Sequence, residues 1–562
     1  MPPADKKDDD RSANGTRAGI SHLVYSAGRV AAVLRMPLIV AGLVVIFSMA
    51  AAGRFGLPSE PMLDPDSRGY LNPALIQLSG DGFQQVDGRG HLYPLFLWAV
   101  LVANRSFSAI TTVQHAAGLL SGVVWCWAWW LWMSLLPAGF VRRWLAPAAG
   151  LGALAVYLWG SRTILFEHMI RPEAVFSGVG LLQIAFGLAF AKACLDGQRI
   201  AIASYAAAGL IASAVAVNLK PSWGFAVLVP LLLVLAAVWR GGRTLRISAA
   251  FGVCLGLLGA SVPVVVLPAL TGWKKDNRSR TFLAETLASV HGIMISESLS
   301  ARAQAGRLDP GEARFAEDYA ATVRSAIDGN VSYPVLGVDC DEILYRSGLF
   351  GRLPNGANRS PELLRRYLLG LYFQALYDRP LAFAQKWSRQ FLLAYRPGPK
   401  DIFRPKLKLR LNYVRTLEAG CPDFRGRLPA AWQARMDAFW ARCVELAASA
   451  PEEVTPAGRI PPGLIQWVAS ILLFSVCVLP AVSVVIFFSR GRLRILRPAA
   501  AASLVVLAVS FASTASVAIV HSFDLDRYLN LLVPADVMLI TCALVLVTAS
   551  VAAALPGPGK EF

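Results

Sequence analysis

Two carboxylates, Asp64 and Asp66, flank Pro65 in the segment MLDPDSRGYLNPALIQL, Met62 to Leu78, just beyond the first apolar run of the chain. A carboxylate pair held at a membrane surface can accept a proton or bind a cation, which makes the segment a candidate reactive site. Other ionisable residues lie in short polar pieces between apolar runs. SRTILFEHMIRPE brings Glu167, His168 and Arg171 together ahead of Glu173, and NLKPSW sets Lys220 at the start of a helix. HSFDLDRYLNLLVP carries His521, Asp524, Asp526, Arg527 and Tyr528. Ions in or beside a bilayer are costly, so groups of both signs gathered on one side form a site hypothesis. Plainer readings exist for most of them. Arg527, Lys220 and Arg171 fit as helix-end cations at lipid headgroups, and His91, His168 and His521 as hydrogen-bonded packing residues. Glu173 suits the first turn of a helix, where the macrodipole favours an acid. Asp64 suits a turn before proline. Asp66 is the residue these readings explain least.

The elements that must position these groups are membrane helices. Of 562 residues 55% are hydrophobic and only 16% charged, and the mean hydropathy is +0.50, more apolar surface than a soluble fold can bury. The expected fold class is therefore an all-α polytopic membrane protein of about ten transmembrane helices. The runs are Met36 to Gly53, Ser108 to Leu136, Trp144 to Gly160, Pro172 to Cys194, Ile200 to Val217, Ser222 to Trp239, Ile247 to Leu270, Pro462 to Phe488, Pro498 to Val520 and Leu531 to Leu555. Leu92 to Ala103 is too short to cross and reads as re-entrant or interfacial. The helix interiors read as nearly free of charge. The expected organisation is a disordered arm (1–35), an N-terminal transmembrane module (36–270) with a polar loop at 54–91, a mixed insert (271–461), C-terminal helices (462–555) and a tail (556–562). The arm carries no small-residue cleavage site ahead of the first apolar run, so no cleaved signal is expected.

Arginine bias gives the orientation, because basic loops resist translocation. One alternating set of short loops holds ten arginines, among them Arg142, Arg143, Arg240, Arg243 and Arg490, and the other holds Arg162, Arg171, Lys220 and Arg527. The first set, the N-terminus and the tail are expected on the cytoplasmic side. Asp66, the other candidate residues and the insert are expected on the exported side. The net charge of +18 is accounted for by loop ends facing anionic lipid, and no nucleic-acid partner follows from it. Of eight cysteines, those in apolar runs behave as small hydrophobes. Cys421 and Cys443 can pair, and no zinc spacing is present. Within the insert, Pro361 to Tyr395 has leucines and aromatics at helical spacing and reads as one or two interfacial helices; the remainder reads as polar loops.

After the first apolar run the order is Asp66-Ser67-Arg68-Gly69-Tyr70, an alanine-containing amphipathic segment, a glycine-rich turn and Gly90-His91-Leu92-Tyr93-Pro94-Leu95-Phe96-Leu97-Trp98. Glu167 and His168 follow in the place of a second acidic loop, and Arg527-Tyr528-Leu529 stands before the last helix. This order resembles the lipid-carrier-dependent glycosyltransferases of the GT-C fold, which include the aminoarabinose transferases of lipid A and the protein O-mannosyltransferases. The resemblance spans about the first 270 residues and the last 100. It departs from the family where Ser67 replaces a second acid, where Asp64 is displaced across Pro65, and where the polar domain is inserted between the seventh and eighth crossings.

What the resemblance implies is an inverting transfer of a sugar from a polyprenyl-phosphate donor to an envelope glycan, glycolipid or protein hydroxyl, at the exported face of a bacterial inner membrane. Asp66 would be the general base. Arg527, Lys220 and Arg171 would bind the departing phosphate. Tyr70, His91 and Tyr528 would line the substrate site. Glu167 and His168 would orient the acceptor, hydrogen-bond the sugar or join Asp66 about a divalent metal. No cofactor is required by these spacings, and a metal stays open because oxygen-ligand sites have no fixed signature. A lipid-linked-sugar flippase or polysaccharide exporter is the alternative from another class, and it calls for charges along a path through the bilayer.

Overall fold

The computed structural model describes residues 34–86, 89–274, 282–354, 360–396, 406–420, 426, 428–455 and 462–555. The expected N-terminal arm up to residue 33 and the tail lie outside the described residues. Among those described the chain is helical throughout, as expected of a polytopic membrane protein, and it has no strand longer than an isolated bridge. Among the described residues nine helices are long and apolar enough to cross a bilayer, and they coincide with nine of the ten expected runs. Four of them are α1 (Leu34–Phe55), α4 (Ser108–Ser134), α7 (Glu173–Asp196) and α8 (Arg199–Leu219). The others begin with the pair that enters α9 (Leu228–Arg240) through a 3-10 turn at Pro221–Val227, and α10 (Arg243–Ser261), which continues through a π turn into α11 (Leu267–Leu270). α19 (Pro462–Phe488), α20 (Arg497–Val520) and α21 (Asp526–Ala554) complete the set.

The tenth expected run is different. Trp144 to Gly160 becomes a π turn and α5 (Ala146–Leu158), broken at Trp159 and Gly160 and followed by α6 (Ser161–His168) at a 45° bend. Ser161 to Arg171 is therefore mostly helix and not the polar loop expected. The cause is local: Gly160 adopts an extended conformation (φ −60°, ψ 116°), which stops one helix and lets Ser161 start another. The short run is also a helix, α3 (Leu92–Asn104). At about 1.5 Å per residue its 13 residues fall short of a hydrocarbon core of about 30 Å. Both its flanks meet the same end of the bundle, His91 against Trp273 and Phe107 stacked on Phe439 of the insert.

Where helices cross closely, small residues permit it. A Cβ at Gly252 of α10 would strike the Ala203 carbonyl of α8, and one at Gly256 would strike Leu210. Such stripes let backbones approach when lipid supplies no hydrophobic drive. Elsewhere aromatic anchors do the packing: Trp125, Trp129 and Trp132 stack in series along α4, and Trp132 Nε1 donates to Ser503 Oγ of α20 at 2.9 Å.

The insert is not mainly loop. Its described part holds α12 (Phe282–Val290), α13 (Gly292–Gln304), α14 (Pro310–Asp328), α15 (Pro361–Asp378), α16 (Pro380–Tyr395), α17 (Leu409–Ala419) and α18 (Ala430–Ser449). Half-buried helices mix polar and apolar residues, so their mean composition imitates loop. In α14 the buried Phe315, Tyr319, Val323 and Ala326 share one face, and Asp309 with Glu312 closes a capping box at its start. Residues 284–383 pack a core of their own. Tyr395, Tyr413, Phe439 and Cys443 join the core of the membrane helices. Cys443 is a buried free thiol, and its expected partner Cys421 lies outside the described residues. Asp536 is an exception to the nearly charge-free helix interiors: it is buried within α21 and accepts from Ser510 Oγ at 2.9 Å.

Candidate functional site

The loop after α1 is pinned before it reaches its carboxylates. Met62 N–H donates to the His168 carbonyl at 2.9 Å and the Met62 carbonyl accepts from Ile170 N–H at 3.0 Å, which sets the loop beside Arg171. Leu63 N–H donates to Thr416 Oγ1 of α17 at 3.0 Å. Asp64 then accepts from Ser67 N–H and Ser67 Oγ, each at 2.9 Å, and so starts α2 (Ser67–Ser79). Asp66 stands at the N-cap position but makes no cap bond. Its carboxylate is left to face cations.

Three guanidiniums reach Asp66. Arg89 Nη2 donates to Oδ1 at 2.6 Å, Arg527 Nη1 donates to Oδ2, and Arg171 Nη2 lies 3.5 Å from Oδ2. Burial would raise the Asp66 pKa, but Arg527, Arg89 and Lys220 outweigh it and hold the carboxyl well below the usual carboxylate range. Arg171 also pairs with Asp64 and approaches Glu173 at 3.6 Å. Burial and the like charge of Arg527 lower Arg171 to about 10 despite Glu173, which leaves it a cation at neutral pH. Lys220 follows α8 in an extended conformation and donates to Glu173 Oε1 at 2.5 Å. Burial and Arg527 bring Lys220 down to about 8, with Glu173 acting against them. The Lys220 ammonium and the Arg527 guanidinium both lie over the Tyr528 ring, at 5.1 and 5.0 Å, and Arg89 lies 5.1 Å over Tyr70. Burial raises the Tyr70 pKa above its ordinary value, so the phenol stays neutral.

Arg89, Arg171, Lys220 and Arg527 are thus four cations facing the three carboxylates of Asp64, Asp66 and Glu173. Arg89, Arg171 and Arg527 each keep an Nε–H donor without a partner. The cluster has room electrostatically for one more anion. It forms part of the wall of a cavity of 1450 Å³, which Asp64, Asp66, Tyr70, Arg171, Lys220, Arg527 and Tyr528 all line. The cavity has an apolar flank at Leu219, Phe225 and Val520, at the ends of membrane helices. A second wall, from α6 and α17, carries Arg162, Lys408 and Arg415.

Glu167, His168 and His91 do not line this cavity. Glu167 is buried behind it, bidentate with Arg54 at 2.7 and 2.8 Å and 3.1 Å from His115 Nδ1. A chain continues from His115 Nε2 to His168 Nδ1 at 3.2 Å, from His168 Nε2 to Tyr413 OH at 3.2 Å, and from that hydroxyl to the Glu60 carbonyl at 2.8 Å. Gly118 makes the fit possible, since a Cβ there would overlap the Glu167 carboxylate. His91 is buried against Trp273, and burial lowers its pKa. His521 lines the cavity with its ring 4.6 Å from Tyr528, kept neutral by burial and by Arg527 and Lys220. The side chain of Asp526 lies outside the described set. Among the described residues no three His, Cys, Asp or Glu side chains gather to hold a metal; Asp66 is separated from Glu167 and His168 by their own commitments.

Sequence reasoning passed over Arg89, Arg54 and His115. Arg89 adjoins the Gly90-His91 motif, and Gly90 is itself held so close to the Asn218 carbonyl that a Cβ would collide. That adjacency was the available signal. Arg54 stands in the last turn of α1 and His115 lies inside α4; an ionisable residue within an apolar helix, as at His115, is itself a flag.

No family model matches the chain, and no curated protein does. Two solved structures are similar to it: crystal structures of ArnT from Cupriavidus metallidurans, one bound to undecaprenyl phosphate and one in the apo state. Each is 14% identical, covers 86% of this chain and 77% of that chain, and has a TM-score of 0.29. Those values are too low to carry an argument about function, which rests on the site itself.

Proposed function

We propose that the protein is a membrane glycosyltransferase that takes a sugar from a polyprenyl-phosphate donor and passes it to an envelope glycan, glycolipid or protein hydroxyl at the exported face of a bacterial inner membrane. The observation that carries this reading is the excess of one cation in a cluster of seven charges around Asp66, set where a large cavity meets lipid-facing helices. An anionic headgroup with an apolar tail fits both halves of that environment. The phosphate would lie among Arg527, Lys220 and Arg171, with Arg89 added to the set. Guanidiniums suit it because they stay charged and bind phosphate oxygens in pairs. The tail would leave along Leu219, Phe225 and Val520.

In the reaction the acceptor oxygen attacks the anomeric carbon while the bond from that carbon to the phosphate oxygen breaks, its electron pair remaining on the phosphate. The hydroxyl proton passes to Asp66, and the configuration inverts. A carboxylate held this far below its usual range is a weak base in the empty site. Donor phosphate competes for the same guanidiniums, so binding the donor loosens their hold on Asp66 and raises its basicity when it is needed. Arg162, Lys408 and Arg415 face the acceptor side. Glu167 and His168 act behind the site and fix the Met62 to Asp66 loop.

The exporter reading requires a charged path through the bundle. Asp536 is a carboxylate inside a span, but it is bonded to Ser510 and is not among the residues lining the cavity. The test is release of polyprenyl phosphate from a panel of polyprenyl-phosphate sugars by the purified full chain with membrane-extracted acceptor. Turnover of one donor supports the proposal; binding without release from any donor, with transport in proteoliposomes, replaces it with the exporter.

A further inference from the structure

Five residues, His521 to Leu525, join α20 to α21, and Arg527 stands in the first turn of α21 just beyond them. The insert holds this connector at four points: the His521 carbonyl, the Ser522 hydroxyl, the Phe523 N–H and the Asp524 carboxylate. Lys386 of α16 is buried and its Nζ donates to the carbonyls of Ala518 and His521 at 2.8 and 2.9 Å. These are terminal carbonyls of α20, which have no partner within the helix, and a cation there also meets the favourable end of the macrodipole. One turn along α16, the fully buried Gln390 accepts from Phe523 N–H at 2.7 Å and Ser522 Oγ at 3.2 Å. Asp524 accepts from Leu336 N–H at 3.1 Å and Val335 N–H at 3.4 Å, both in the insert. The clamp is itself anchored: Trp387 Nε1 donates to His291 Nε2 at 3.3 Å, and His291 stacks on Phe383 at 5.0 Å.

We propose that Lys386 and Gln390 are positioning residues through which the insert sets the place of Arg527 in the anion site. The connector is short, so its backbone fixes the origin of α21. An arginine in the first turn inherits any shift of that origin. Side-chain bonds from α16 to residues 521–523, together with the Val335 and Leu336 N–H groups on Asp524, hold the connector along most of its length. This assigns the insert a task inside the site, and it rests on the reading of Arg527 as a phosphate ligand.

The experiment is a double-mutant cycle on the purified full chain, with a short-chain polyprenyl phosphate in micelles as the probe. Lys386→Met and Gln390→Met keep side-chain length and remove the bonds. Each is expected to weaken binding of the probe by about tenfold in the wild-type background and by less than twofold when Arg527 is already lysine. Equal losses in both backgrounds would mean that the residues serve only the general fold, and would overturn the proposal. So would undiminished binding in folded variants. Hydrogen exchange at residues 521–527 is read on the same samples. Faster exchange in Lys386→Met is required whether or not the probe binds, and unchanged exchange refutes the clamp. A wild-type chain that binds no polyprenyl phosphate defeats the functional reading, and the exchange data then decide the clamp alone.

Discussion

Replacing Asp66 with asparagine should move binding and turnover in opposite directions. The carboxylate is held by Arg527, Arg89 and Arg171, and it competes with any phosphate for those guanidiniums. Two unit charges about 4 Å apart interact by about 4 kcal/mol at an effective dielectric of 20. The Asp66 and Arg527 side chains are 24% and 20% exposed, so water and salt reduce that figure, and about 1 to 2 kcal/mol for the freed cations together is the expected net value. Polyprenyl phosphate should therefore bind Asp66→Asn about tenfold more tightly than wild type. Turnover should fall by about a hundredfold or more, the usual contribution of a positioned general base. The assays are micelle binding of polyprenyl phosphate and single-turnover release of lipid phosphate from a sugar donor. Wild-type turnover in the variant would remove Asp66 as the base. Weaker binding by a folded variant would show that the carboxylate organises the cations and does not compete for them.

Further outcomes follow from the same geometry. Glu167→Gln should cost about 3 to 5 kcal/mol in stability, read as lost folded yield or a lowered Tm in detergent, because it strands the buried Arg54 guanidinium. Gly118→Ala should destabilise by about 1 to 3 kcal/mol by pushing Glu167 off Arg54, and a Tm equal to wild type would contradict the contact. Lys220 is a cation below about 8 and neutral above it, so the affinity for polyprenyl phosphate should fall as pH rises through that value; titration of Lys220→Arg should show no such step. Lys408→Ala and Arg415→Ala should raise the KM for an anionic acceptor several-fold and leave donor affinity unchanged, which initial-rate kinetics with each substrate varied would establish.

The membrane helices were legible because a bilayer demands about 20 apolar residues in a row, and α7, α8 and α20 announce themselves. The bend at Gly160 was not legible, since hydropathy averages over a backbone break. α14 and α18 were missed for the opposite reason: they bury one stripe only, and the charges on their outer faces hid Phe315 and Tyr319, or Met436 and Phe439. At the site, Asp66, Arg171, Lys220 and Arg527 could be picked out as ions beside apolar runs, and the structure brings them to one wall. What the chain order could not give was their pairing. Arg54 meets Glu167 across 113 residues and Arg527 meets Asp66 across 461, and a linear reading has no means of telling a ligand from a buried counter-ion at such separations. Asp536 escaped because one carboxylate barely changes the mean hydropathy of a helix of 29 residues.

The bond from the Tyr395 hydroxyl to Ser510 and Thr514 of α20, at 2.9 Å each, dictates an order of assembly. Tyr395 belongs to a helix synthesised more than a hundred residues before its partners. Until α20 has left the ribosome and inserted, the Tyr395 hydroxyl of α16 lacks these partners, and the His521 to Leu525 connector that α16 clamps does not exist. Asp66, made near the start of the chain, meanwhile has Arg89 and Arg171 but waits for its third guanidinium, Arg527. The anion site is therefore among the last features of the molecule to form during biogenesis, and a chain stopped short of α21 would leave the Asp66 segment without Arg527.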